Sequence, residues 1–400
     1  MRDAVIVEAV RTPVGKGKPG GSLSGVHPVD LLAGALESVV ERAGIDPGLI
    51  DDVIVGCVSQ AGEQAANIAR RATLAAGYPE HVPSTTVDRQ CGSSQQAVHF
   101  AAQGVIAGAY DIAVVGGVES MSRVPMGSAV QGAADVGGER YAARYPEGGI
   151  SQGVAAELIA AKWELSRSQL DAYAARSHAR AAEAWDTGLF ADQVVPVKAR
   201  QADGSISLVS TDETVRPGTD LETLARLRPA FADDAAAARF PQIADWRVTA
   251  GNSSPLNDGA AALLVMTSER ARELGLRPRA RVHTTTVVGD DPLMMLTAVI
   301  PATEKVLRRA GLSIDDIDLF EVNEAFASVV LAWLRETGAD PSRVNVNGGA
   351  IALGHPLGAT GVRLLTSMLH ELERIGGRYG LLTMCEAGGM ANATIVERLG

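Results

Sequence analysis

Short apolar runs alternate along the chain with amphipathic stretches of helical length, a pattern that predicts an α/β fold. Strand-like runs occur at Ala4 to Glu8, Asp52 to Val58, Ser84 to Val87, Asp111 to Val115, Leu263 to Met266 and Arg281 to Val288. The second half adds Leu319 to Val322, Arg343 to Val346, Tyr379 to Met384 and Ala393 to Glu397. Between them, Pro28 to Ala43 sets Val29, Leu32, Leu36, Val39 and Val40 on one helical face and closes on Gly44. Thr303 to Ala310 closes on Gly311 in the same way.

Those two helix ends open an internal repeat. Ala43-Gly44-Ile45 is followed by Asp51-Asp52-Val53 and an apolar strand; Ala310-Gly311-Leu312 is followed by Asp315-Asp316-Ile317 and another. Further on, Gly108-Ala109-Tyr110-Asp111 leads into a strand ending at Gly116-Gly117, and Gly377-Arg378-Tyr379-Gly380 into one ending near Gly388-Gly389. A pattern repeated once at this length predicts two similar α/β halves, residues 1–269 and 277–400, rather than a solenoid. From Ser120 to about Ala250 the composition shifts to Gly, Ala and polar residues, then to helices at Gly153 to Trp163 and Ser168 to Trp185. This stretch, 121–250, has no counterpart in the second half. It reads as an insertion that covers or builds a ligand site.

Hydrophobic residues at 46% and charged ones at 21% exclude a disordered chain, and aromatics at 4% leave the core to Ala, Val, Leu and Ile. The 36 basic against 47 acidic residues give a net charge of −11, which argues against nucleic acid or an anionic membrane as the main partner. A phosphorylated ligand needs only a few local cations and stays possible. No signal-like segment follows Met1 and every apolar stretch is interrupted, so a soluble cytoplasmic protein is expected. Cys57, Cys91 and Cys385 form no Cys-x-x-Cys pair, so no metal is expected and each thiol needs its own account.

Cys57, inside a strand, reads as a small buried hydrophobe. Cys91 sits between the strand Ser84 to Val87 and a helical stretch from Gln95 to Ile106, with Gly92-Ser93-Ser94 leaving room for a substrate. A helix N-terminus lowers a thiol pKa that starts near ~8.5. A plain helix-capping turn with an incidental thiol is the alternative. His355, set among glycines from Asn347 to Gly361, is expected to be an exposed loop residue suited to acid–base work. Asn323-Glu324 at a strand end reads either as a helix cap or as a polar site pair. Cys385 ends a strand before a glycine turn whose N–H groups suit an anion. All lie at carboxyl ends of strands, where open α/β sheets bind ligands, and the set suggests covalent catalysis by a thiolate.

Together these segments resemble the thiolase family from Val5 to Leu399. The matching stretches include Val87-Asp88-Arg89-Gln90-Cys91-Gly92-Ser93, Gly116-Gly117-Val118-Glu119-Ser120-Met121-Ser122 and Thr249-Ala250-Gly251-Asn252-Ser253-Ser254. Asn257-Asp258-Gly259, Asn323-Glu324-Ala325-Phe326, the His355 loop and the Cys385 turn continue the series. The resemblance implies the thiolase fold, two mixed α/β halves in five α-β-α-β-α layers with an inserted loop domain. It implies coenzyme A thioesters as substrates, no permanently bound cofactor, and a homodimer or homotetramer. By position, Cys91 is implied as acylated nucleophile, His355 as its base, and Cys385 as the acid/base at the α-carbon of acetyl-CoA. Asn323, holding a water, would form one oxyanion hole with His355; backbone N–H groups of Cys91 and Ala387 would form the other. Arg216, Thr223 and Ser254 match coenzyme A contacts, and Gln95, Gln152 and Met295 match the acyl pocket.

The chain departs from the family pattern at Ser94-Gln95, at Gln152 and at Ala387. The glutamines make the acyl side more polar than in acetyl-specific members. That resembles degradative 3-ketoacyl-CoA thiolases, including ones acting on long or steroid side chains. A synthetic acetoacetyl-CoA thiolase and a non-catalytic coenzyme A-binding relative are the alternatives.

Overall fold

The computed structural model describes residues 2–146, 148–201 and 203–400. Nine strands lie in one hydrogen-bonded path: Leu319–Val322, Tyr379–Glu386, Met390–Arg398, Ala280–Gly289, Val5–Arg11, Asn257–Met266, Ile112–Ser120, Asp52–Gly56 and Ser84–Val87. A short antiparallel contact, Val5 to Arg281 and Ile6 to Ala280, joins two sheets edge to edge.

The two sheets have the same plan. In the first, Asp52–Gly56 runs parallel to Ile112–Ser120, which is antiparallel to Asn257–Met266, itself antiparallel to Val5–Arg11. In the second, Leu319–Val322 runs parallel to Tyr379–Glu386, followed by antiparallel Met390–Arg398 and Ala280–Gly289. The repeat read from the two glycine-capped helices is therefore a repeat of topology. Its ends are built as expected: Pro28–Ala43 starts with His27 accepting from the Val29 N–H and stops at Gly44, whose φ of 66° only glycine adopts freely.

One expected strand is absent. Arg343 to Val346 forms only a single parallel bridge, Val344 to Phe320, in the place that Ser84–Val87 occupies in the first sheet. Pro341 opens a tight turn and Asn345 takes a positive φ of 48°. The Asn345 carboxamide then bonds both the N–H and the C=O of Val322, replacing a ladder with a side chain.

Five layers result. Pro28–Ala43 packs outside the first sheet and Val299–Ala310 outside the second, while Ser93–Ala107 and Leu357–Ile375 pack between the sheets. Gly361 permits that central contact, since a β-carbon there would lie 2.5 Å from the Gln95 nitrogen. The central core is aliphatic, with Val98, Val115, Leu263, Val265, Leu365, Met368 and Leu382 all buried. Full burial of such a side chain is worth roughly 1.5–3 kcal/mol.

Between Ser120 and Asn257 the chain forms helices and a small hairpin of Val197–Arg200 with Ile206–Val209. Its helices Gln152–Lys162 and Arg167–Asp186 pack against Ala327–Thr337 of the second half. The caps are Ser151 and Ser166, the latter closing a reciprocal box with Gln169. Among the described residues no helix is long and apolar enough to cross a membrane.

Candidate active site

Cys91, Asn323, His355 and Cys385 converge where the carboxyl ends of both sheets meet the central helices. Cys91 immediately precedes Gly92, the cap of the helix Ser93–Ala107. Asn323 follows the strand Leu319–Val322, and Cys385 is the penultimate residue of Tyr379–Glu386. Asn323 Nδ2 lies 3.4 Å from His355 Nε2 and 4.0 Å from Cys385 Sγ, so one carboxamide spans the imidazole and the second thiol. Its Oδ1 is buried without a partner, which leaves an acceptor for a water or a ligand.

His355 is buried, not exposed as the glycines around it suggested. The glycines serve close packing: the loop backbone crosses Asn257, whose Oδ1 accepts the His355 N–H at 2.8 Å, and Glu119, whose carboxylate accepts the Gly358 N–H at 2.9 Å. The ring's tautomer follows from its neighbours. The Thr360 hydroxyl donates to the Pro356 carbonyl at 2.8 Å, so its oxygen, 2.7 Å from His355 Nδ1, accepts the ring N–H. Nε2 is thereby left unprotonated, an acceptor facing the Asn323 amide donor. Burial, with Arg363 nearby, holds the imidazole down to about 3, so the resting ring is a neutral base.

The thiol does not rest as a thiolate. Burial is the largest influence on Cys91 and raises its pKa well above the ordinary value; Cys385 and Glu386 push the same way. A hydrogen bond from its own backbone N–H and one from Gln152 oppose this without overcoming it. The lowered pKa expected from a helix N-terminus alone is thus corrected: desolvation outweighs a dipole of about half a charge. Cys385 is pushed up to about 12 by burial, although Asn323 and the Ala325 N–H both stabilise its anion. Cys57 is buried and has a raised pKa for the same main reason.

Gln152 faces Cys91 from the first turn of its helix. Gln95 does not join it. One helical turn past the nucleophile, its Nε2 donates to the Leu382 carbonyl at 3.2 Å and to Thr394 Oγ1 at 2.7 Å. The expectation that Gln95 lines the acyl pocket is therefore corrected; its amide bridges the central helix to the second sheet. Met295 opens the short turn Met295–Ala298 and is buried in the cluster that contains Cys385. Ala387 lies in the turn linking Tyr379–Glu386 to Met390–Arg398, followed by Gly388 and Gly389 with positive φ.

Arg216 and Thr223 share a small cavity of about 120 Å³ with His178, Gly251 and Ser253. Ser254 is next to it, held by its N–H on the Ala325 carbonyl at 2.9 Å, and does not line that cavity. His178, lowered to about 4 by burial and Arg216, accepts the Arg216 N–H through Nδ1. A second cavity of about 450 Å³ lies at the start of the Gln152 helix, between Ile150, Ser151, Val154, Phe231 and Phe240.

Glu119, Asn257, Thr360 and Glu386 were not singled out from the sequence. Glu119 and Asn257 lie in matching stretches, yet only the fold reveals that each holds the His355 loop. Glu324 does not cap the helix that follows it, Ala327–Thr337. Its carboxylate accepts from Tyr173, Ser177, Asn345 and the Ile351 N–H, tying the insertion to the His355 segment.

A family profile described as Thiolase, N-terminal domain matches residues 4–269, and one described as Thiolase, C-terminal domain matches 276–398. The chain belongs to the thiolase family. A steroid 3-ketoacyl-CoA thiolase of Mycobacterium tuberculosis is 49% identical over 406 residues, covering 100% of this chain and 95% of the relative. A 3-ketoacyl-CoA thiolase of Citrobacter koseri is 44% identical over 403 residues, with 100% of both chains covered. The crystal structure of the acetyl-CoA acetyltransferase of Bacillus anthracis matches this thiolase with a TM-score of 0.88 at 39% identity, covering 100% of this chain and 99% of that one.

Proposed function

We propose that this thiolase cleaves 3-ketoacyl-CoA with coenzyme A, giving acetyl-CoA and a shortened acyl-CoA. The observation that carries the reading is Asn323 between His355 Nε2 and Cys385 Sγ, which puts a neutral base and a second proton carrier on one substrate site. His355 Nε2 takes the Cys91 proton as Sγ attacks the 3-keto carbon. The oxyanion is met by one of the two donor sets, and the Cα–Cβ bond breaks as Cys385 protonates the leaving acetyl-CoA carbon. Coenzyme A then gives its thiol proton to Cys385 and attacks the acyl-Cys91 thioester. Cys91 leaves and recovers its proton from His355, so every group returns to its starting form.

Arg216 and Thr223 would receive the nucleotide end of coenzyme A, with Ser254 toward the pantetheine. The names of the two 3-ketoacyl-CoA relatives support a larger acyl group than acetyl. Among the described residues no strand pairs with the outer edge of Ser84–Val87, which favours pairing with a second copy. The test is acyl transfer from radiolabelled acyl-CoA onto the protein, together with thiolysis of a 3-ketoacyl-CoA series. Label on Cys91 that disappears in Cys91→Ala supports the reading; label elsewhere, or none, overturns it. Faster turnover of acetoacetyl-CoA than of every longer substrate would favour the synthetic thiolase instead.

A further inference from the structure

Glu386 has no part in the reaction laid out above, yet its carboxyl lies inside the site. It directly follows Cys385 at the end of Tyr379–Glu386 and is fully buried. A β-carbon on Gly92 would come within 1.9 Å of Glu386 Oε1, so the residue after the nucleophile makes room for this carboxyl by being glycine. With its oxygen accepting from the Gln96 N–H at 3.2 Å, the Asn392 amide donates to Oε1 at 3.0 Å. Oε2 is buried and has no partner. The turn after Ser84–Val87 presents Asp88, Arg89 and the Cys91 thiol to it, and its own strand presents Cys385. Met390–Arg398 and Ser93–Ala107 contribute only the neutral Asn392 and Gln96.

We propose that Glu386 is a positioning residue whose charge state governs how readily the Cys91 thiol gives up its proton. This rests on Cys91 being the acylated nucleophile. Burial, relieved in part by Arg89, pushes the carboxyl up to about 8, so it is mostly neutral near pH 7 and ionises as the pH rises. When neutral, it holds the Asn392 amide and puts no charge beside the thiols. When ionised, it opposes a thiolate on Cys91 and on Cys385, and the three acids titrate as one coupled set.

The test is the rate of Cys91 alkylation by iodoacetamide, mapped by mass spectrometry, from about pH 6.5 to about pH 9.5. The full chain is compared with Glu386→Gln. The wild-type curve should flatten near pH 8 while that of the variant keeps rising, leaving the variant about tenfold faster at the alkaline end and equal at the acid end. Superimposable curves overturn the proposal. If Glu386→Gln does not fold, Arg89→Gln serves: loss of the cation should move the flattening to higher pH, and an unmoved inflection overturns the proposal. Failure of an acyl-CoA to protect wild-type Cys91 removes the nucleophile assignment itself, and the proposal with it, whatever the pH curves show.

Discussion

Thr360→Val removes one hydroxyl and almost no volume, and it tests how His355 is kept a base. In the wild type the hydroxyl gives its hydrogen to Pro356 at 2.8 Å and takes the Nδ1–H at 2.7 Å, leaving Nε2 unprotonated toward Asn323 Nδ2 at 3.4 Å. Valine leaves Nδ1–H buried without an acceptor, which costs about 1–3 kcal/mol. The ring can escape only by moving its proton to Nε2, where it meets the Asn323 amide donor and can no longer accept from Cys91. Either outcome raises the barrier to acylation by a similar amount, so the single-turnover rate should fall about 10–100-fold. KM should change little, because Thr360 is buried in the helix Leu357–Ile375 away from the coenzyme A residues. Thr360→Ser keeps the hydroxyl and should recover most of the rate. The assay is stopped-flow or quenched transfer of an acyl group from acyl-CoA to Cys91. A Thr360→Val enzyme that acylates at the wild-type rate refutes the tautomer argument; equal losses in the valine and serine variants would trace the effect to packing instead.

Cys385→Ala should still accept an acyl group on Cys91 while losing cleavage of 3-ketoacyl-CoA, measured as label transfer against thiolysis; parallel losses would remove the division of labour between the two thiols. Gln152→Met should narrow the preference for large over small acyl groups by one to two orders of magnitude, at ~1–3 kcal/mol for the polar amide set against a short alkyl chain that offers it no hydrogen bond; unchanged kcat/KM ratios across an acyl series would contradict this. His99 is lowered to about 3 by burial, so its unfolded form takes up a proton first as pH falls below its ordinary value of 6.5. The stability tied to its neutral form is complete above pH 6.5 and drains away toward pH 3, by about 2 kcal/mol at pH 5. His99→Gln should therefore flatten the loss of Tm on acidification, and a slope identical to wild type would argue against a neutral buried ring.

Much of the fold was legible because its signals are local. Glycine-closed helices and apolar strands recur in both halves, and the expected repeat became two sheets of the same strand order. The strand expected at Arg343 to Val346 failed because a side chain, Asn345, does the pairing there, which apolar periodicity cannot report. Among the site residues, Cys91, Asn323, His355 and Cys385 could be named because each sits beside glycine or at a strand end. Their surroundings could not be. Whether a glycine-rich loop is open or packed depends on what approaches it, and here Asn257 and Glu119 arrive from 98 and 239 residues away in sequence. Gln95 was misplaced for a related reason: a matching position in the family pattern does not say which face of Ser93–Ala107 a glutamine there turns to the second sheet.

The same burial decides how the chemistry must begin. A thiol held well above its usual pKa beside an imidazole held at about 3 cannot exchange a proton at rest, because the ion pair would be formed in a site that penalises both charges. The charge has to pass to the substrate as it forms. When Sγ bonds to a carbonyl carbon, the negative charge moves to the carbonyl oxygen, and the imidazolium Nε2–H and backbone amides meet it there. Proton transfer and carbon–sulfur bonding are therefore expected to be concerted, and the site stays unreactive toward alkylating agents relative to a preformed thiolate. The arrangement also suits a reversible reaction. Cys91, Cys385 and His355 all begin and end the full cycle neutral, and the acyl-enzyme between them carries no net change in charge, so the thioesters alone determine which way the reaction runs.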